Sequence, residues 1–515
     1  MDPASSSVMA RWEIFGLVFT VGAAIMAIEI LGTRIIGPVF GVNLFVWSAL
    51  LAVTLGALAV GYYAGGVWID RTPALRLPGF IVVSGGVLLG IVPALSSTVL
   101  RLAESLGPRA GSLLGAAFLF APSLAVLGMV GPAAIRLTTR EVQAAGRGAG
   151  SVYAVSTAGS LAGTLVTGFV LVPTFETDQI LFGTATLLIL VGATSLAIHW
   201  HSAAFVTVVV PLLAQAIPPP DLPPGITVRD RSQSLYGLVE VIDDHARGVR
   251  FMRADHSVIG AQFVRDRSPG FAFVHVLEAV RFMRPDAKST LQIGLGIGSL
   301  PMALAARGIT ADVVELDPAV VRFARQDFGF ATHGDIYEED ARTFLARTDR
   351  RYDIIVHDTF AGGTTPEHLL SLEIVRRIHE LLRPGGVLAL NFAGFLAGPK
   401  AEASWAVART LQAAFPNVQV FRDSAPTDRP DEAGNLIFFA ADTPLDFEIP
   451  AQAAFENGDC ERILRSFQRW RVLEQVPPGP VITDAHNPLA RLQLPIAEDH
   501  FEAMNKLLPA DVWLR

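Results

Sequence analysis

The chain has 515 residues, 51% hydrophobic and 17% charged, with a formal net charge of −8. Of its 40 basic and 48 acidic residues, nine and eight lie up to Pro220, which leaves 31 and 40 beyond it. An acidic C-terminal half argues against a nucleic-acid partner, and the single cysteine, Cys460, excludes an intrachain disulfide.

At roughly 100–200 residues per domain, the length predicts two or more domains. Met1–Ala10 is polar and does not read as a cleavable signal. Stretches long enough to cross a ~30 Å apolar core then follow at 13–36, 43–67, 79–100, 110–136, 149–172 and 178–199. A seventh, 202–217, is short for a span; it could cross, re-enter or lie at the interface. "GSLAGTLVTG" (159–168) spaces small residues so that helices can approach closely. Glu29 and Arg34 stand five residues apart in the first stretch. They mark either a polar pocket or a structural pair with an interfacial arginine. Arg11, Arg71, Arg76, Arg136, Arg140 and Arg147 fall on one side of six spans, and Arg101 and Arg109 on the other. The positive-inside rule then predicts an inner (plasma) membrane protein with its N-terminus and its soluble half in the cytoplasm. Seven spans would place that half outside.

"IPPPDLPPG" (217–225) predicts a stiff spacer, because proline cannot continue a helix. The expected organisation is a transmembrane helical domain (1–217), a Pro-rich linker (218–226), a small β unit (227–270) and a nucleoside-binding domain with a C-terminal extension (271–515). "YGLVEVID" (236–243) and "RFMRADHSVIG" (250–260) alternate like antiparallel strands, with "DH" at a turn. From 270, strands are predicted at 289–294, 311–316, 352–357, 386–392, 417–421 and 435–440, and helices at 300–307, 318–326 and 370–383. This alternation predicts a mostly parallel, doubly wound Rossmann-like sheet covered on both faces.

"LQIGLGIGSLPMALAARG" (291–308) reads as strand, glycine turn and helix, with Gly294, Gly296 and Gly298 giving Gly-x-Gly-x-Gly. The next strand ends in Glu315, 17 residues after Gly298, where an acid can accept both hydroxyls of a ribose. Asp340, ahead of a helix in "YEEDARTFL" (337–345), could accept an adenine amino group, cap the helix, or do both. The third glycine comes too early for a dinucleotide fingerprint, which favours an adenosylmethionine-type ligand. "YDIIVHD" ends on Asp358, where a doubly wound sheet places ligands. There it could orient or deprotonate an amine, or simply cap the following loop. His357, Glu367 and His368 flank it. The histidines lack metal-ligand spacing and no thiol cluster exists, so no metal is expected.

These motifs carry a resemblance. Over roughly 227–440 the soluble half resembles the polyamine aminopropyltransferases, spermidine synthase and its relatives, through "RSQSLYGLVEVID", "GLGIG", "VELDP", "EEDARTFL" and "YDIIVHD". The whole chain is similar to membrane-bound, fused spermidine synthase-like proteins, through "GYYAGGVWIDR" (61–71), "GMVGPAAIRL" (128–137) and "SVYAVSTAGSLAGTL" (151–165). The resemblance implies a methyltransferase-type fold and a polyamine-biosynthetic transferase in the bilayer. The donor would be decarboxylated S-adenosylmethionine or S-adenosylmethionine, the acceptor a small amine and the assembly a homodimer. It implies that Gln233 contacts the donor's tail and that Asp358 and Tyr236 are catalytic. Three positions depart from the family. Ile297 replaces the acid that holds the donor's amine, Ala361 replaces the second acid of the catalytic loop, and Phe273 stands for a tyrosine. A methyltransferase or other alkyl transferase is therefore an alternative. A transporter or sensor with a non-catalytic nucleoside domain is another, since "GYYAGGVWIDR" also resembles the Gly…Asp-Arg loop of facilitator transporters.

Overall fold

A computed structural model describes residues 3–41, 44–139, 145–199, 222–423, 433–445, 447–455, 457–472 and 476–513. The chain divides into two compact units, Met1–Leu222 with Pro509–Arg515, and Pro223–Leu508. Among the described residues of the first, six helices are long and apolar enough to cross a membrane: Arg11–Phe40, Leu44–Arg71, Arg76–Glu104, Gly107–Thr138, Ala145–Thr174 and Thr177–Ile198. Each expected span falls on one of them. The seventh stretch, 202–217, and most of the Pro-rich spacer lie outside the described residues.

Without a hydrophobic drive between helices in lipid, close backbone approach supplies the contact. A Cβ added at Gly159 would lie 2.1 Å from the Phe19 carbonyl oxygen, and one at Gly163 2.4 Å from that of Ala23. The first and fifth helices therefore touch backbone to backbone through the small residues of "GSLAGTLVTG". Glu29 and Arg34 are both half-buried on the first helix. Further along the same unit, Glu13 accepts a 2.5 Å hydrogen bond from Ser195 Oγ.

The second unit opens with an antiparallel sheet of β1 (Ile226–Gln233), β2 (Leu238–Asp244), β3 (Val249–Ala254) and β4 (Ser257–Phe263), in that order. β2 to β4 follow the alternation in the sequence. β1, "ITVRDRSQ", was not legible as a strand because it is a largely exposed, charged edge. The expected turn at Asp255–His256 joins β3 to β4, with Asp255 in the left-handed region (φ 46°). Glu240 of β2 and Arg253 of β3 face each other in register, both fully buried, with Arg253 Nε 2.6 Å from Glu240 Oε2.

The larger sheet holds β5 (Ser289–Ile293), β6 (Thr310–Glu315), β7 (Ile336–Glu338), β8 (Tyr352–His357), β9 (Leu382–Gly394), β10 (Asn417–Arg422), β11 (Gly434–Ala441) and β12 (Arg471–Val472). Their order is β12-β10-β11-β9-β8-β5-β6-β7. The five strands from β9 to β7 run parallel, whereas β11, β10 and β12 extend the sheet antiparallel. Parallel strands covered on both faces need continuous apolar runs. Leu291, Ile293, Val313, Val314, Ile354, Ile355 and Val356 supply them, all buried. The strand order reverses between β5 and β8, and the crevice at their C-terminal ends is where such a sheet binds ligands.

Removing one partner of a buried ion pair strands the other charge, at a cost of about 3–5 kcal/mol. Glu240 keeps Arg231 Nε at 3.5 Å, so Arg253→Leu is expected to destabilise the second unit by no more than this, read from its unfolding midpoint. Adding Glu240→Leu should restore most of the loss, and an equally unstable double variant would show that the pair carries no such charge penalty.

Candidate active site

The site grows from the turn after β5. Gly294, Gly296 and Gly298 all take positive φ, 83°, 55° and 79°. At Gly294 a side chain is excluded twice over, by the backbone conformation and by space. A Cβ there would lie 2.1 Å from the carbonyl oxygen of Asp358, so this glycine lets the two loops meet.

Glu315, half-buried at the end of β6, holds this turn from the other side. Its Oε2 accepts from the Leu295 N–H at 2.9 Å and its Oε1 from the Asp317 N–H at 2.9 Å. Burial pushes its pKa up, opposed by those same amides. Two carboxylate oxygens offer about four acceptor sites, so about two remain for ribose hydroxyls. Asp317 caps the helix Pro318–Phe328 through the Ala319 N–H and accepts a 2.6 Å bond from Ser234 Oγ. Ser234 lies between Gln233 and Tyr236, which ties the β1–β2 turn to the loop after β6. The Gln233 Nε2 is buried and has no partner among the described residues. Tyr236 is 50% exposed on that turn.

Asp340 does cap a helix. It accepts from the N–H and Oγ1 of Thr343, at 2.9 and 3.1 Å, ahead of Ala341–Arg347. Burial opposes its ionisation, but the Thr343 hydrogen bonds and nearby His368 hold its carboxyl below the usual range. His368 Nε2 is 3.5 Å from its Oδ2.

Asp358 follows β8, and its backbone N–H reaches the Ile293 carbonyl at 2.9 Å. Its carboxylate accepts from Asn391 Nδ2 at 2.9 Å, and no bond to it from a loop amide is present among the described residues. Burial pushes its pKa up to about 6, against the lowering effect of Asn391. Its neighbour His357 is fully buried in the sheet, and burial pushes it down to about 4.

The loop after Asp358 closes on itself through paired backbone hydrogen bonds between Ala361 and Thr364. The C-terminal segment then clamps it. Gln493 bonds both backbone groups of Thr365, each at 2.9 Å. His500, on the helix Leu494–Leu507, lies 5.5 Å from the Phe360 ring and within 2.9 Å of Ser257 Oγ. Phe273, in the expected tyrosine position, stacks on Phe271 instead and packs against the core.

Two half-buried carboxylates, Glu315 and Asp358, and a glycine turn thus meet where the strand order reverses. No family model matches the chain. Over 221 residues the chain is 31% identical to a polyamine aminopropyltransferase of Vibrio vulnificus, covering 41% of this chain and 69% of that protein. The chain belongs to the polyamine aminopropyltransferase family. Over 256 residues it is also 34% identical to an N-terminal histidine N-methyltransferase of Emericella nidulans, covering 45% of each, so it spans under half of that relative's length. Among solved structures, a probable spermidine synthase from Corynebacterium glutamicum aligns with 48% of this chain and 89% of its own, at 20% identity and a TM-score of 0.38. The human methyltransferase-like protein 13 aligns with 41% of this chain and 92% of its own, at 22% identity and a TM-score of 0.27.

The second unit is therefore a transferase fold of the aminopropyltransferase and methyltransferase kind. Within that frame, hydrogen bonds and backbone contacts link the turn carrying Gln233 and Tyr236, Glu315, the glycine loop and Asp358. Asp340 sits one strand further, with His368. Sequence reasoning missed Asn391, Gln493 and His500. Asn391 did carry a signal, as an amide inside the apolar run "LALNFAG". The other two lie more than a hundred residues from the loop they hold.

Two substitutions test ligand binding, Asp340→Asn with the cap kept and Glu315→Gln with one of the two amide bonds that fix the turn lost. Glu315→Gln and Asp340→Asn each remove a charged acceptor worth about 1.5–3 kcal/mol, so affinity for S-adenosylhomocysteine should fall about tenfold to hundredfold. Asparagine caps helices as well as aspartate, so Asp340→Asn should melt like the wild type. Calorimetric titration decides, and unchanged affinity in both variants would remove the nucleoside assignment.

Proposed function

We propose that the second unit transfers a methyl group from S-adenosylmethionine to a nitrogen nucleophile held beside Asp358. The observation that carries this reading is Ile297. The family resemblance expects an acid there to hold the donor's amine. Ile297 is instead 5% exposed, in an apolar cluster with Val239, Val241, Met252 and Phe330. A Cβ on Gly260 would lie 2.4 Å from its Cγ2, so the position is packed shut against the small β sheet. A decarboxylated donor, whose tail ends in an ammonium alone, loses its anchor. A donor that keeps its carboxylate can instead take a hydrogen bond from Gln233 Nε2. The relative named as an N-terminal histidine N-methyltransferase supports the same reading. A peptide with an N-terminal histidine is therefore the first acceptor to try.

In the transfer, the acceptor nitrogen attacks the methyl carbon in line. The carbon–sulfur bond breaks and the sulfonium sulfur keeps the electron pair, leaving S-adenosylhomocysteine. The proton lost by the nitrogen passes to Asp358, which is ionised above its raised pKa of about 6 and able to accept it. Glu315 and Asp340 hold the adenosine, and Asn391 orients the Asp358 carboxylate. Aminopropyl transfer is the second reading, favoured by the identity to the Vibrio vulnificus aminopropyltransferase. It reverses the assignment of the leaving nucleoside, so product analysis separates the two. The full chain in detergent should yield S-adenosylhomocysteine from S-adenosylmethionine and no methylthioadenosine from the decarboxylated donor. Methylthioadenosine made in the presence of putrescine would replace methyl transfer by aminopropyl transfer.

Asp358→Asn should lower turnover by about 10²–10⁴. In the wild type, kcat/KM should fall as pH drops through about 6, because protonation removes the base; this limb should vanish in the variant. The stability effect has the opposite sign. A carboxyl whose folded pKa is raised disfavours folding once it is ionised, over the window from about 4 to 6 and fully above it. Asp358→Asn should therefore raise the melting temperature at pH 7.5 and change it little at pH 4. A less stable variant at pH 7.5 with unchanged turnover would make Asp358 a structural residue.

We also infer that the six apolar helices cross a membrane, with Arg11, Arg71, Arg76, Arg136, Arg140 and Arg147 on the cytoplasmic side. Asp511, which follows the second unit, pairs with Arg101 on the other side at 2.5 Å, so the side of the second unit turns on whether 202–217 crosses. A reporter fused after Arg515 decides it: a cytoplasmic signal means six crossings and an external one seven.

A further inference from the structure

Away from the donor cleft, three side chains that can ligate a metal meet in the core. The helix Ala272–Glu278 carries His275 and Glu278 one turn apart, on one face. The helix Gly458–Ser466 carries Cys460 in its first turn, fixed by a 2.8 Å bond from its backbone N–H to the Asn457 cap. One ligand atom from each residue lies within 4.8 Å of the others. His275 and Glu278 are each 2% exposed and Cys460 is 0% exposed.

Buried polar atoms are normally paired. The Nδ1 of His275 is buried and has no hydrogen-bond partner among the described residues. Glu278 divides its carboxylate: Oε1 takes Arg281 Nε at 2.9 Å, while Oε2 faces Cys460 Sγ at 3.4 Å. That division matches a metal-binding carboxylate, in which one oxygen is oriented by an outer partner and the other is turned to the ion. The Arg281 guanidinium leans away over the Phe282 ring at 3.9 Å. Glu278 also lines a cavity of about 360 Å³ with Ser299, Met302 and Phe455, which leaves room for water at a fourth position.

The geometry points to a divalent metal site formed by His275, Glu278 and Cys460, suited to Zn²⁺. A thiolate, an imidazole and a carboxylate are the ligand types that borderline-soft zinc takes, in tetrahedral sets of four. Thiolate and carboxylate offset the dication's charge, and the Arg281 ion pair to Glu278 leaves one positive charge beside the site. On binding, the Cys460 thiol gives its proton to solvent and the His275 lone pair gains a partner. The site would tie the segment before β5 to the segment after β11. It runs against the absence of metal expected from the sequence, where Cys460 lies 182 residues from Glu278.

The single cysteine makes the test direct. The full chain in detergent, stripped with chelator and titrated with Co²⁺, should bind one equivalent. It should then show a thiolate-to-cobalt charge-transfer band in the near ultraviolet and the intense visible bands of tetrahedral cobalt. Zn²⁺ should abolish both by displacement. Cys460→Ser should lose the charge-transfer band, and His275→Gln should weaken metal binding at least tenfold, with circular dichroism and elution volume as fold checks. If either variant fails to fold, the wild-type titration alone decides, because a thiolate band can come only from Cys460. No such band at saturating Co²⁺, or equal metal content in folded wild type and variants, would overturn the site and leave a hydrogen-bonded His–Glu–Cys cluster.

Discussion

The carboxylate of Glu315 gripping the Leu295 and Asp317 amides is the interaction on which the site depends. A carboxylate taken out of water is costly unless its lone pairs are satisfied, and burial does raise this one's pKa. The two backbone donors offset that cost and fix the glycine turn at the same time. Because the turn is fixed, Gly294 can rest against the Asp358 carbonyl, and a side chain at that position would push the two loops apart. The order of the strands puts this contact between β5 and β8, where the strand order reverses.

From that junction the rest of the site is assembled by reach rather than by neighbouring sequence. Ser234 bonds Asp317 and so draws in the β1–β2 turn that carries Gln233 and Tyr236. Asn391 crosses from β9 to hold Asp358. Gln493 and His500 close over the loop from the C-terminal segment. The consequence is a glycine turn held from several elements of the fold. The positions at which this chain departs from the family, Ile297, Ala361 and Phe273, are packed or bridged within the protein. That pattern is what directs the proposal toward a donor retaining its carboxylate.

Much of this architecture was legible in the sequence where local pattern carries it. The six apolar stretches, the central strands and the Gly-x-Gly-x-Gly turn each follow from periodicity or length alone. Glu315 and Asp340 were legible because the end of a second strand and a helix start are positions with their own chemistry. Asp340 proved to be a cap, which leaves room for its proposed role toward adenine. What was not legible is long-range or direction-dependent. Apolar alternation does not say whether a strand runs parallel, so the antiparallel β10–β11–β12 edge was invisible. β1 lacks apolar alternation because most of its side chains are partly or fully exposed. The Glu315 contact with Leu295 spans 20 residues and the Gln493 contact with Thr365 spans 128, and neither leaves a spacing signature.

The central claim is that the Glu315-anchored turn is a donor site with Asp358 at its reacting end. A structure of the full chain with S-adenosylhomocysteine bound, by electron cryomicroscopy in detergent or nanodiscs, tests it most directly. The account predicts ribose hydroxyls within about 3 Å of Glu315, adenine beside Asp340, the amino-acid tail toward Gln233, and the sulfur on the Asp358 side of the glycine turn. A nucleoside bound elsewhere, or a Glu315 that has left the Leu295 amide to receive it, would contradict the account.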